Sequence, residues 1–273
     1  MRIALAAGLL AASSSLAWSA AYDSLRPHRA VYDVVLEEVS DRSGIRGIQG
    51  RIVYEFTGSA CDGFSTRYRF VTQVETGRKS FVSDERTTTF EGPDGKSFNF
   101  VNQSYLNGQL ERDVRGDAVT SDDATVVTLK KPEELESELP PATFSTTHVA
   151  RIIEAARKGE RLLKTTLFDG SGDADDVTET LAVVGEPIAV DERPKSEGAE
   201  VAEKLEGQEP WPATVSYFDD DVLDGGGERT PVYEVSFKLY PSGVTRDLTM
   251  RFRDYTLRGA MQELEFLPVS DCD

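Results

Sequence analysis

Residues 50–75 read Gly50-Arg-Ile-Val-Tyr-Glu-Phe-Thr-Gly-Ser-Ala-Cys-Asp-Gly-Phe-Ser-Thr-Arg-Tyr-Arg-Phe-Val-Thr-Gln-Val-Glu75. In the first half Ile52, Tyr54 and Phe56 alternate with Arg51, Glu55 and Thr57. In the second, Phe64, Tyr68, Phe70 and Val74 alternate with Ser65, Arg67, Arg69, Gln73 and Glu75. A period of two sends one set to a core and the other to solvent, so this is a pair of half-buried strands. Gly58, Cys61 and Gly63 mark the turn between them. The only other cysteine is Cys272, next to the last residue. A bridge between the two would tie the C-terminus to the first hairpin and require the intervening chain to form a closed or wrapped sheet.

Working outward, Val31 to Val39 predicts a strand before this hairpin. Lys79 to Phe90 and Lys96 to Leu106 predict two after it, and Asn107-Gly108 between Leu106 and Leu110 signals a further hairpin. Ala124 to Leu129 is a short β-branched strand stopped at Lys131-Pro132, and the acidic, proline-ended stretch Glu133 to Pro141 is expected to be a loop. One amphipathic helix is expected next. Thr146 or Thr147 serves as N-cap, Val149, Ile152, Ile153 and Ala156 form the apolar stripe, Arg157 and Lys158 end the last turn, and Gly159 stops it. Strands follow at Arg161 to Phe168, Val177 to Val184 and Trp211 to Phe218. Between the last two, Gly185 to Glu209 carries eight acidic and three basic residues and is expected to be an exposed insertion with a frayed helix at Ala199 to Leu205. The C-terminal third is a meander turning at Pro241-Ser-Gly243. Its apolar parity is odd at Leu257 and Met261 but even at Leu264 and Phe266, so a β-bulge is expected near Gln262. The fold class expected is mainly β: a strongly curved, spiral or barrel-like antiparallel sheet of about a dozen strands with one amphipathic α-helix, in a single domain over 22–273. Closure would leave no long edge strand exposed.

Residues 1–21 have the layout of a secretory signal peptide: a positive start at Arg2, an apolar run from Ile3 to Ala12, and small residues from Ser13 to Ala21. No later run approaches about 18 apolar residues, so the mature chain is not expected to span a membrane. Two cysteines in an exported protein read as one disulfide, Cys61 to Cys272. The formal charge is −18; without Arg2, 48 acidic residues face 29 basic ones, or −19. That balance argues against nucleic acid and anionic lipid surfaces as partners.

No catalytic constellation is legible. His28 and His148 are the only histidines, and neither belongs to a metal-spaced motif. His148, in the first helical turn, is expected to pack or hydrogen-bond rather than to act as a base. The loop Asp169 to Asp176 has oxygens at alternating positions, but Ala174 stands where a calcium loop needs glycine and Thr180 where it needs glutamate, so a solvated turn is expected. Asp219 to Glu228 reads as a charged loop, and Gly225 to Gly227 precede no Lys-Ser/Thr. No metal and no cofactor are expected. The aromatics (thirteen Phe, nine Tyr and two Trp) sit mostly on the apolar parity of strands. They fill a core or line a cavity, and strand parity does not separate the two.

Several segments together resemble the EipB family of periplasmic cell-envelope integrity proteins. These are Pro27-His-Arg-Ala-Val-Tyr-Asp33, Gly50-Arg-Ile-Val-Tyr-Glu55 with Gly58-Ser59 and Cys61, and Thr147-His148 through Ile152-Ile-Glu-Ala-Ala-Arg157. Phe168-Asp-Gly-Ser171 and the meander ending in Leu267-Pro268 and Cys272 complete the set. The chain departs from the family in lacking a proline ahead of His148 and in the acidity of 185–209. The resemblance implies a spiral-like, strongly curved sheet around a helix, a disulfide between the matching cysteines, and a periplasmic role in envelope integrity without enzyme activity. Arg29, Tyr32, Thr147, His148 and Asp169 fall within or beside the matching segments and are the candidate binding or structural residues. The partner expected is an envelope protein or a lipid-like ligand. The alternatives are a carrier of an acyl chain in a β-lined cavity and, behind it, a hydrolase.

Overall fold

Alternating sequence becomes alternating burial along many strands of the computed structural model, which describes residues 22–189, 196–218 and 229–270. The first meander runs β1 (His28–Val39), β2 (Ile45–Ser59), β3 (Gly63–Thr76), β4 (Ser80–Glu91), β5 (Ser97–Leu106), β6 (Gln109–Thr120), β7 (Thr125–Lys131) and β8 (Leu135–Leu139). Helix α1 (Ser145–Lys158) follows. The second meander is β9 (Leu162–Leu167), β10 (Thr178–Val184), the short helix α2 (Val201–Lys204), β11 (Trp211–Phe218), β12 (Tyr233–Leu239), β13 (Thr245–Phe252) and β14 (Tyr255–Phe266).

The fourteen strands of the described residues share one antiparallel sheet, ordered β8 to β1 and then β14 to β9. The first and last strands therefore pair at its middle, with His28 opposite Phe266 and Val34 opposite Gly259. Its two edges, β8 and β9, are consecutive in sequence and are joined through α1. The sheet is curved but not closed: no ladder joins β8 to β9 among the described residues. Exposure of the edges is limited instead by length, since β8 and β9 are the shortest strands, with five and six residues. A parallel bridge from Thr143 to Leu167 also covers part of β9.

Three local expectations are corrected. The loop foreseen at 133–141 contains β8, whose Leu135 and Leu139 lie opposite Leu129 and Thr125. An edge strand needs a partner on one side only, so its acidic residues Glu136 and Glu138 stay exposed and their charge does not prevent pairing. The N-cap of α1 is Phe144, which offers no side-chain acceptor, and Thr146 and Thr147 lie inside the helix. The cap comes from β4: Glu91 Oε2 accepts the Thr146 N–H at 2.7 Å, and its Oε1 accepts the Thr147 N–H at 2.9 Å. A carboxylate at a helix N-terminus satisfies orphan donors and meets the positive end of the dipole.

The third correction concerns 185–209, which is not wholly exposed; 190–195 lie outside the described residues. Glu197, Val201 and Leu205 are buried. Arg246, itself buried, donates to both carboxylate oxygens of Glu197, at 2.5 Å to Oε1, and to the Tyr240 hydroxyl at 3.1 Å. The segment docks on the bulge expected near Gln262. Val31 pairs with Glu263 and Tyr32 with Met261, leaving Gln262 as the extra residue. Gln262 Nε2 donates to the Ser196 carbonyl at 2.8 Å, and the Gly198 N–H donates to the Met261 carbonyl at 2.9 Å. A Cβ on Gly198 would lie 2.0 Å from the Gln262 carbonyl oxygen, so only glycine permits this approach.

The core has three parts. Ala150, Ile152, Ile153 and Ala156 of α1 pack on Phe56, Phe64, Val184, Trp211 and Leu239, drawing the two meanders together. Tyr32, Ile52, Tyr240, Met250, Leu257 and Met261 form a second cluster, reached by Val201 and Leu205. The third gathers Val114, Val127, Leu129 and Val177 around four phenylalanines. Phe98 stacks on Phe144 at 4.9 Å, and Phe100 meets Phe168 edge-on at 5.7 Å. This cluster fastens β5 to the chain on either side of α1 and β9. Gly170, at φ +69°, closes it, since a Cβ there would meet the Phe100 ring at 2.6 Å.

Candidate functional site: the cavity inside the curved sheet

Because the sheet curls, residues in register on neighbouring strands form rows that face inward across the molecule. One row runs Asn102, Thr87, Tyr68, Tyr54 and Ala30 from β5 to β1. The next runs Thr89, Thr66, Phe56 and His28. From the second meander comes a row of Thr180, Tyr217, Tyr233 and Phe252. Helix α1 lies across the interior, and with the loop after β9 these rows enclose a cavity of about 460 Å³. That is within the ~300–1,000 Å³ typical of small-molecule sites.

Its wall is apolar over much of its area, with Ile52, Val149, Ile152, Val235, Leu248 and Met250 among the lining side chains. Into this wall are set the phenols of Tyr32, Tyr54, Tyr68, Tyr217 and Tyr233. Burial raises the phenol pKa values of Tyr32, Tyr68, Tyr217 and Tyr233, so these hydroxyls keep their protons and remain donors. Tyr217, Tyr233, Phe252 and Tyr255 continue as a chain of ring contacts with centroids 5.3, 4.8 and 4.7 Å apart.

The site residues read from the sequence divide in the structure. Tyr32, His148 and Asp169 all line the cavity. The Tyr32 hydroxyl donates to the Thr245 carbonyl at 2.6 Å. His148 is buried, and burial, followed by the charge of Arg151, pushes its pKa down to about 4. Its Nε2 lies 3.3 Å from Thr180 Oγ1, and that hydroxyl donates to the Thr165 carbonyl at 2.9 Å. Thr180 has thus committed its proton and can only accept, so His148 carries its hydrogen on Nε2 and leaves Nδ1 basic. Asp169 Oδ1 accepts the Ser171 N–H at 2.8 Å in the turn beside the cavity.

Thr147 is buried away from the cavity, against Glu91, and its hydroxyl donates to Glu91 Oε1. Arg29 lies on the outer face, 3.1 Å from Glu263 Oε2. Cys61 is exposed in the turn after β2, and no cysteine among the described residues is free. Cys272 lies outside the described residues, as do the expected signal peptide and the loop at 219–228. The tail is nonetheless placed up to Ser270, whose hydroxyl donates to Asp62 Oδ2 at 2.6 Å, one residue from Cys61.

His28, at the start of β1, also lines the cavity. Burial lowers its pKa, partly offset by the Arg26 carbonyl, which Nδ1 approaches at 2.7 Å. The sequence did not single out Glu91, Tyr68, Tyr217 or Tyr233. Strand parity marked the tyrosines as inward-facing without separating wall from core, and nothing local to Glu91 marks a cap for a helix more than fifty residues away. Among the described residues no group of three or more His, Cys, Asp or Glu is placed to hold a metal ion, and no helix is long and apolar enough to cross a membrane.

A family model described as EipB-like matches residues 19–268. The chain belongs to that family. It is 45% identical over 242 residues to the cell envelope integrity protein EipB of Brucella abortus (strain 2308), covering 88% of this chain and 84% of that protein. A crystal structure of a beta-barrel-like protein of a domain of unknown function, from Brucella abortus, superposes with a TM-score of 0.83. It is 43% identical, and the match covers 89% of this chain and 99% of that one. This member of the family is, over its described residues, a single curved, unclosed sheet of fourteen strands wrapped on a helix.

Proposed function

We propose that this protein acts in the periplasm, without catalysis, to support the integrity of the cell envelope, and that it does so by binding a lipid-like envelope component inside its curved sheet. The cavity of about 460 Å³, apolar in wall and fringed with phenols, is the observation that carries this reading. The relative's description as a cell envelope integrity protein supplies the setting. Against a hydrolase stands the geometry of His148. The one side-chain hydroxyl its ring nitrogen is bonded to, that of Thr180, already donates to the Thr165 carbonyl and is not poised as a nucleophile. A disulfide from Cys61 to Cys272 belongs to the same reading and is supported by the tail's contact between Ser270 and Asp62.

Native mass spectrometry of protein recovered from the periplasm tests the proposal. A co-bound species of lipid mass is expected, and an apo mass in gently handled material would count against it. Acyl esters incubated with the purified protein are expected to be recovered intact; hydrolysis that is lost in a folded His148→Ala variant would reopen catalysis.

A further inference from the structure

The chain has 30 lysines and arginines, yet among the described residues none lines the cavity. Many are committed to the outer face, where Arg51 pairs with Asp33, Arg67 with Glu55, and Arg69 and Arg86 with Asp84. The two histidines that face inward are neutral at pH 7, because burial disfavours their charged form. The single acidic side chain on the wall is Asp169.

A ligand ending in carboxylate or phosphate would bury its charge here with no cation on the cavity wall to pair with it, and with the Asp169 carboxylate on that wall. Burying an unpaired charge is far more costly than burying a hydrogen-bonded polar group. A hydroxyl, ester or amide end is matched instead. The phenols of Tyr68, Tyr217 and Tyr233 are available as donors, and His148 Nδ1, unprotonated because Nε2 is bound to Thr180, is available as an acceptor.

We infer that the cavity selects an uncharged single-chain lipid, an acyl chain ending in hydroxyl, ester or amide groups, over the same chain ending in carboxylate or phosphate. This rests on the lipid-binding reading above and adds the chemistry of the ligand's end. The test is calorimetric titration of the mature protein at pH 7.5 with 1-monopalmitoylglycerol and, separately, with palmitate, both below their aggregation concentrations. Monopalmitoylglycerol is expected to bind at least tenfold more tightly, and Asp169→Asn to narrow the gap by strengthening palmitate binding. Palmitate binding as tight or tighter overturns the end-group inference while leaving the lipid-binding cavity intact. A gap unchanged in Asp169→Asn removes the role given to that residue. Failure of both ligands to bind the folded protein overturns this inference and the lipid-binding reading together.

Discussion

Two buried side chains carry much of the local physics. Glu91 is 1% exposed and accepts hydrogen bonds from two backbone N–H groups of α1 and from the hydroxyls of Thr147 and Tyr22. Glu91→Ala strands those donors in the interior and should cost about 3 kcal/mol, measured by urea denaturation. Glu91→Gln keeps one acceptor oxygen and should lose roughly half as much. His148 works through protonation. Its folded-state pKa of about 4 lies below the ordinary 6.5, so between these values the unfolded chain takes up a proton that the folded chain refuses. Stability is then flat above pH 6.5 and falls as pH drops toward 4, by up to ~3 kcal/mol from this residue. His148→Gln, neutral throughout, should lose that slope, read as the difference between wild-type and variant denaturation curves from pH 8 to pH 4. His28 contributes in the same direction and remains in both proteins. Glu91, whose pKa burial raises, contributes oppositely and also cancels in the difference.

At the scale of elements, two segments outside the sheet hold its shape. Helix α1 follows one edge strand and precedes the other, with its apolar stripe packed on Phe56, Phe64, Trp211 and Leu239 inside the sheet, and Gly159 in the left-handed region ends it as the sequence predicts. The segment 196–205 is clamped over the Gln262 bulge by the buried Arg246–Glu197 pair, each side chain 2% exposed. Removing one partner of such a pair leaves an uncompensated buried charge and costs about 3–5 kcal/mol. Glu197→Ala should show that loss in thermal unfolding, together with faster amide hydrogen exchange across 196–205. Exchange confined to its wild-type rate would mean the segment is held by Val201 and Leu205 alone.

For the whole molecule, the decisive fact is that an open sheet keeps its curl. The β1–β14 pairing sets the first and last strands side by side at the sheet's centre, and the phenylalanine cluster with α1 holds the edges inward. The proposed disulfide adds a crosslink between the tail and the β2–β3 turn. A loop of roughly 200 residues closed this way reduces the entropy of the unfolded chain by an equivalent of at most about 5 kcal/mol. Cys61→Ser should therefore lower the melting temperature by several degrees, and reductant should do the same to wild type while leaving the variant unchanged. Equal melting temperatures with and without reductant would remove the crosslink from the account.

Most strands were legible from residues alone, because a half-buried strand writes its own period: Ile52, Tyr54 and Phe56 face inward wherever the strand is placed. Even the bulge at Gln262 announced itself, since one inserted residue reverses the parity from Met261 to Leu264. The helix was legible in its stripe and its glycine stop, but not in its cap, because Glu91 reaches it only after β4 has been carried around the curl. The same reason hid β8, whose acidic residues deny it an apolar pattern and whose partner supplies the order. It also hid the docking of 196–205, where a buried arginine and glutamate tolerate each other only once both are enclosed. Local composition thus determined which stretches extend, turn and coil, and the two cysteines pointed to a wrapped chain. Whether the inward tyrosines fill a core or line a cavity was decided by curvature alone, a property of fourteen strands in register that no single strand possesses.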